Sequence, residues 1–373
     1  MNRELTLNVL ADVMDWSDER AGDEYTWLSY MGSMKYDNYR DFQAGMRFIE
    51  SLATWLQQFP KSKREVAYQF VRQRLVFVGV SEMHHIVEQF YHRVVHPWLL
   101  NTVASRHGLK PYEAIAQADL RNEMDLLRRK TLFLGLSDGA RIDVVRHSNV
   151  GRINNEQIIH TAEPDKEKWT EVLKDLRTAT DSAARFEAVF LIDDFTATST
   201  SFLRPDNDPT PWKGKLVRFT RSIEDIRPDL LTANWSLHIH HYIASHSATQ
   251  KLAKNLSDSD EFFSHLGWGR PAVSFGMVLP EEFPLSAARG DGPFIALTDH
   301  YYDPVIETKH TEVGGVKRMN LGYGGCALPL VLEHNTPNNS VALLWAETEG
   351  DTRTGALAMR PLFRRRQRHV AGA

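Results

Sequence analysis

Residues 188–202 read AVFLIDDFTATSTSF, and this stretch decides the fold class. Ala188, Val189, Phe190, Leu191 and Ile192 form an apolar run with no polar alternation. Such a run fits a strand covered on both faces, the usual state of a strand in a parallel sheet. Two acids, Asp193 and Asp194, stand where the strand ends. After them Thr196, Ala197, Thr198, Ser199, Thr200 and Ser201 make a loop of small and hydroxyl residues, read here as entering a helix. Ligands of open α/β sheets bind beyond the carboxyl ends of the strands. A loop rich in hydroxyls and backbone N–H groups at a positive helix end suits a phosphate. The paired acids suit a diol, or Mg²⁺ held directly or through water.

The spacing removes several other strand–acid–loop enzymes. Phe195 stands where an Asp-x-Asp nucleophile motif needs its second acid. No Gly-Lys-[Ser/Thr] ending of a Walker A loop follows.

Outward from this segment, short apolar runs alternate with amphipathic stretches. Runs at 131–136, 142–147, 189–192, 237–244, 272–279, 294–298 and 341–346 read as strands, and 166–177 as a helix. The expectation is an α/β fold with a largely parallel sheet. Residues 204–212 and 285–291 read as inserted loops. Residues 1–125 carry apolar positions at three- and four-residue spacing over 40–59, 65–80 and 81–94, which predicts helices, with Pro60 and Pro97 as stops. The expected organisation is an all-α domain over 1–125, an α/β domain over 126–350, and a frayed polar and basic tail over 351–373 containing Arg364, Arg365, Arg366 and Arg368.

Composition sets the outer bounds. The 373 residues are 42% hydrophobic and 25% charged, the balance of a globular chain with a buried core. Lys plus Arg number 44 against 48 Asp plus Glu, for a net charge of −4. That charge argues against a surface devoted to nucleic acid and leaves the basic tail as the place for such contact. One cysteine, Cys326, excludes an internal disulfide and a Cys-rich zinc site. The start, MNRELTLNVLADVMDW, lacks a signal-peptide pattern, and no apolar run reaches bilayer length, so a cytoplasmic protein without membrane contact is expected.

Residues 189–201 resemble the phosphoribosyl diphosphate (PRPP) signature of type I phosphoribosyltransferases: apolar strand, two acids, then a hydroxyl-rich phosphate loop. The resemblance implies that Asp193 and Asp194 hold the ribose hydroxyls and that Ala197–Ser201 cradle the sugar's phosphate. Two positions depart from the pattern: Ser199 stands where Gly is usual and Ser201 where Thr is usual. Ala197 replaces the Asp of hypoxanthine-guanine salvage members, which disfavours those bases. Upstream, TLFLGLSDGARID at 131–143 resembles the family's pyrophosphate loop, implying a diphosphate facing Ser137, Asp138, Gly139, Ala140 and Arg141. Downstream, LGYGGCALPLVLEHNTPNNSVALLW at 321–345 resembles the PRTase-CE group of bacterial conflict systems, implying a substrate-side role for the turn at His334 and Asn335.

Together these resemblances imply a phosphoribosyltransferase-type sheet and an effector that binds PRPP, or a related ribose 5-phosphate donor, with Mg²⁺ and transfers the ribosyl group. Antiphage defence beside a partner protein of the same operon is the implied setting. The alternatives are a nucleotide- or PRPP-sensing protein that has lost transfer, or an interaction protein of a toxin system. His85, Glu88, His92 and His96 recur at helical spacing, but packed, hydrogen-bonded residues are the expected reading. His238 and His240 should share one face of a strand as a packed pair.

Overall fold

The computed structural model describes residues 3–40, 42, 47–161, 163–206, 211–308, 310–353 and 355–365. Its strand Phe186–Thr196 is the middle of a five-stranded sheet. The order across that sheet is Ile158–Ile159, Thr131–Gly135, Phe186–Thr196, Leu231–Ser245, Ala272–Leu279, with every pairing parallel. In chain order this is 2-1-3-4-5. Such an order reverses between its first and third strands, and ligands sit at that switch point. Here the reversal lies between Thr131–Gly135 and Phe186–Thr196, where Gly135 pairs with Ile192 just before the two acids.

The chain divides into two compact units, residues 84–280 and residues 1–83 with 281–373. This partition cuts elsewhere than the 125/126 boundary read from the sequence. In the unit of 84–280 both sheet faces are apolar. On one face Leu132, Leu134, Val189, Leu191 and Ile239 pack with Trp169, Val172 and Leu176 of the helix Lys166–Ala179. That helix starts where Asp165 accepts a hydrogen bond from the Lys168 amide at 2.7 Å, and its apolar residues recur every three or four positions. On the other face the His238 ring stacks on Phe190 with centroids 4.3 Å apart, and His240 lies 4.5 Å from Phe90. The expected packed pair is thus present, with His238 bonded to Ser236 and His240 to Ser274.

The other unit contains the helices Arg3–Met14, Asp18–Met34, Phe48–Gln57 and Lys61–Gln73. Its strand Val76–Val78 pairs in parallel with Leu330–Leu332, which joins the two ends of the chain in one core. Trp55 donates its indole N–H to the Leu343 carbonyl at 2.8 Å, and the Phe70 and Phe294 rings stack 3.7 Å apart.

Several expected strands are helices. Ile142–His147, Gly292–His300 and Ala342–Trp345 are all helical, because short apolar runs suit a buried helix turn as well as a strand. Pro97 does not stop its helix. The chain passes from Val80–Phe90 through a wide five-residue turn, Tyr91–Val95, into His96–Arg106, and Pro97 occupies the first turn, where no N–H is needed. Nor is the tail frayed up to residue 365: Met359, Leu362 and Phe363 are fully buried, and the Phe363 ring lies 5.8 Å from that of Phe48. Apolar residues between the arginines anchor it; Arg366 and Arg368 lie outside the described residues.

Candidate functional site

Asp193 is buried at the carboxyl end of its strand, with 3% of its surface exposed, and Asp194 beside it is half-buried. The Leu136 amide donates to the Ile192 carbonyl at 2.8 Å, extending the pairing of the two switch-point strands by one residue. This delivers Ser137 to the acids: its hydroxyl lies 2.6 Å from Asp193 Oδ1 and 3.3 Å from Asp194 Oδ1. The two segments picked out in the sequence therefore meet through a hydrogen bond. The remaining residues of the upstream loop form one short turn, Asp138–Ala140, followed by Arg141 in a left-handed conformation. Asp138 is exposed, Gly139 half-buried and Ala140 buried.

Lys215, which the sequence reading missed, pairs its ammonium with Asp193 Oδ2. The route is an insertion. The hydroxyl loop does not enter a helix as expected: after Ser201 the chain turns into the short paired strands Arg204–Pro205 and Trp212–Lys213. Only then does the helix Lys215–Ser222 begin. Its first amides return to the loop, Lys215 N–H to the Ser201 carbonyl at 3.0 Å and Leu216 N–H to the Phe202 carbonyl at 3.1 Å. Gly214 makes the corner, with φ of 132°, and a Cβ there would sit 2.2 Å from the Phe202 carbonyl oxygen. A Gly-Lys pair opening a helix after a Pro- and Asp-rich insertion was the available signal.

The loop itself is closely held. Thr196, Ala197, Thr198 and Ser199 are buried, Thr200 is half-buried and Ser201 exposed. The Ser199 amide donates to Thr196 Oγ1 at 3.1 Å, and the hydroxyls of Thr198 and Thr200 are 2.8 Å apart. Ser245, which caps the helix His246–Asp258, also donates to the Ala197 carbonyl at 2.7 Å. Ser199 has a φ of 61°, the left-handed region that favours glycine, and its buried hydroxyl has no hydrogen-bond partner. The departure from Gly noted in the sequence falls where the backbone demands Gly. Ser199→Gly is expected to stabilise the protein by about 1 kcal/mol, since it relieves the left-handed strain and loses no hydrogen bond. Urea unfolding checks this; a lower midpoint in the variant would contradict it.

Electrostatics follow from burial. Burial raises the Asp193 pKa, with the Asp194 charge acting the same way and Lys215 and Ser137 pulling it down. On the adjacent strand His241 pairs in register with Asp193. Burial, helped by Lys215, lowers its pKa to about 3, so its ring is neutral. Tyr242 is fully buried, its hydroxyl has no hydrogen-bond partner, and burial pushes its pKa up, with Asp194 and Asp143 adding to the shift.

The Mg²⁺ implied by the resemblance does not fit at Asp193. One carboxylate oxygen is held by an ammonium and the other by a hydroxyl, inside a buried setting. Among the described residues no group of three or more His, Cys, Asp or Glu side chains is arranged to hold a metal, the set at His85–His96 included. A cavity of about 430 Å³ in this unit is lined by Val217, Thr220, Arg227, Phe262 and Trp268 among others, and by none of the predicted site residues. His334 and Asn335 belong to the other unit. There the His334 ring is 3.1 Å from Glu333, the Asn335 amide donates to the Leu332 carbonyl at 3.0 Å, and Thr336 bonds Tyr39.

No curated protein and no solved structure matches this chain. The family model of PRTase-CE matches residues 52–365, taking in the acid strand, the Ser137 loop and the turn at His334. The chain belongs to the PRTase-CE family, and its fold is phosphoribosyltransferase-like.

Proposed function

We propose that the switch point binds PRPP or a related ribose 5-phosphate donor and that the protein transfers the ribosyl group. The carrying observation is the meeting of Ser137 with both acids between the two strands where the sheet order reverses. Asp194 is the acid placed for the vicinal ribose hydroxyls. The loop end at Thr200 and Ser201 faces the sugar's phosphate, and the turn at Ser137–Arg141 the diphosphate. Catalysis on this reading is positional and electrostatic: the amides and Arg141 stabilise the departing diphosphate while Asp194 holds a ribosyl group of rising positive charge. Mg²⁺ belongs to it as the companion of the donor's diphosphate, with no step assigned to it at Asp193. The setting is a cytoplasmic antiphage effector acting beside a partner protein of its operon. No helix of the described residues is long and apolar enough to cross a membrane.

A second reading is favoured by the buried, self-bonded hydroxyl loop and by the engagement of Asp193 with Lys215. It is a sensor that keeps the pocket and performs no transfer. Pyrophosphate release from PRPP, in the presence of a panel of nucleobase, nucleoside and protein acceptors, separates the two. Release that is lost in Asp194→Asn supports transfer. Binding of PRPP without release in any arm supports the sensor and rejects the enzyme.

A further inference from the structure

We propose that Lys215 is the permanent cation of the acid pair and stands where a divalent metal would otherwise sit on Asp193. Three observations carry this. First, the ion pair is enclosed: 17% of the Lys215 side chain and 4% of the Asp193 side chain are exposed. Second, the lysine is placed by backbone. Its own amide and that of Leu216 are tied to the Ser201 and Phe202 carbonyls, and Gly214 makes the corner before it by an approach that no side chain permits. Third, the other Asp193 oxygen accepts from Ser137, so the carboxylate is held from both sides in one orientation.

A carboxylate in this state is a poor direct ligand for Mg²⁺, which keeps near-ideal octahedral oxygen geometry and is reluctant to lose its water. The charge neutralisation that a metal supplies at an acid pair is supplied by a side chain. Asp193 becomes a positioning residue, fixing Ser137 and Lys215. A ligand that brings an anionic group close to the pair meets an ammonium already in place. This inference concerns cation occupancy and stands whether or not PRPP is the ligand.

The test is binding of Mn²⁺ alone to the full chain, read by electron paramagnetic resonance of the free ion. Wild type and Asp193→Asn are expected to bind Mn²⁺ equally. Lys215→Met is expected to gain a site at least tenfold tighter, and Lys215→Met with Asp193→Asn to lose it again. Wild-type binding that Asp193→Asn abolishes would overturn the proposal, as would a folded Lys215→Met variant with no gain. The comparison of wild type with Asp193→Asn decides the matter even if removal of the lysine prevents folding.

Discussion

Lys215→Met is expected to destabilise the unit of residues 84–280 by about 3–5 kcal/mol, the range found when one partner of a buried ion pair is removed. The reason is asymmetric. Asp193 is almost wholly enclosed and keeps only the Ser137 hydroxyl and, at 3.3 Å, the Asp194 amide once the ammonium is gone. An unpaired carboxylate in that position must stay charged at high cost or take up a proton. Adding Asp193→Asn to Lys215→Met removes the charge and is expected to recover most of the loss. Urea unfolding of the wild type, the two single variants and the double variant forms the cycle. A coupling near zero would mean that the pair contributes nothing to the fold.

Acidification is expected to have an effect of similar or larger size. Burial lowers the pKa of His238 to about 4 and of His240 and His241 to about 3. In the unfolded chain each returns to about 6.5, so protonation favours unfolding below that pH. The stabilising contribution of the neutral rings is complete above pH ~6.5 and is lost as pH falls toward the folded values. Each histidine costs about 1.4 kcal/mol per pH unit across that window, or roughly 2 kcal/mol between pH 6.5 and 5. Three together approach 6 kcal/mol, a large part of the ~5–15 kcal/mol that keeps a protein folded. Asp193 works in the opposite direction, since burial raises its pKa and it gains a proton more readily when folded. The expected observation is a steep fall of the urea midpoint from pH 7 to pH 5, flattened by about a third in His238→Phe. A flat profile would show that these rings are hydrated or charged in the folded state.

How much of this was legible in the sequence depended on the separation of the interacting residues. The strand at Phe186–Thr196 was legible because five consecutive apolar residues ended in two acids, and its neighbours at 131–136, 237–244 and 272–279 were legible as short, largely apolar runs. Ser137 was legible as the start of a turn after a strand, and the sheet order then placed it against Asp193. Lys215 was not, because it reaches Asp193 across an insertion and 22 residues of chain. The division into units was hidden too. It rests on pairings such as Val76–Val78 with Leu330–Leu332, which no local pattern announces. Ile142–His147 and Gly292–His300 were misread because a six- or nine-residue helix with two buried apolar positions offers too short a period to separate from a strand. Phe363 and Met359 were passed over because charged residues stand beside them; Phe363 is buried among the rings of Tyr36, Tyr39, Phe42, Phe48 and Phe77, and Met359 belongs to the same apolar core.

The strain at Ser199 connects the fold to the choice between transferase and sensor. Its left-handed backbone is the conformation a phosphate loop needs, yet a side chain occupies the position.

Calorimetric titration of the full chain with PRPP and Mg²⁺, beside Asp194→Asn of unchanged circular dichroism, tests the central claim most directly. The account predicts saturable binding by the wild type and at least a tenfold weaker affinity in the variant. Equal affinity in both, or no heat with either, would contradict the assignment of a ribosyl donor to this switch point.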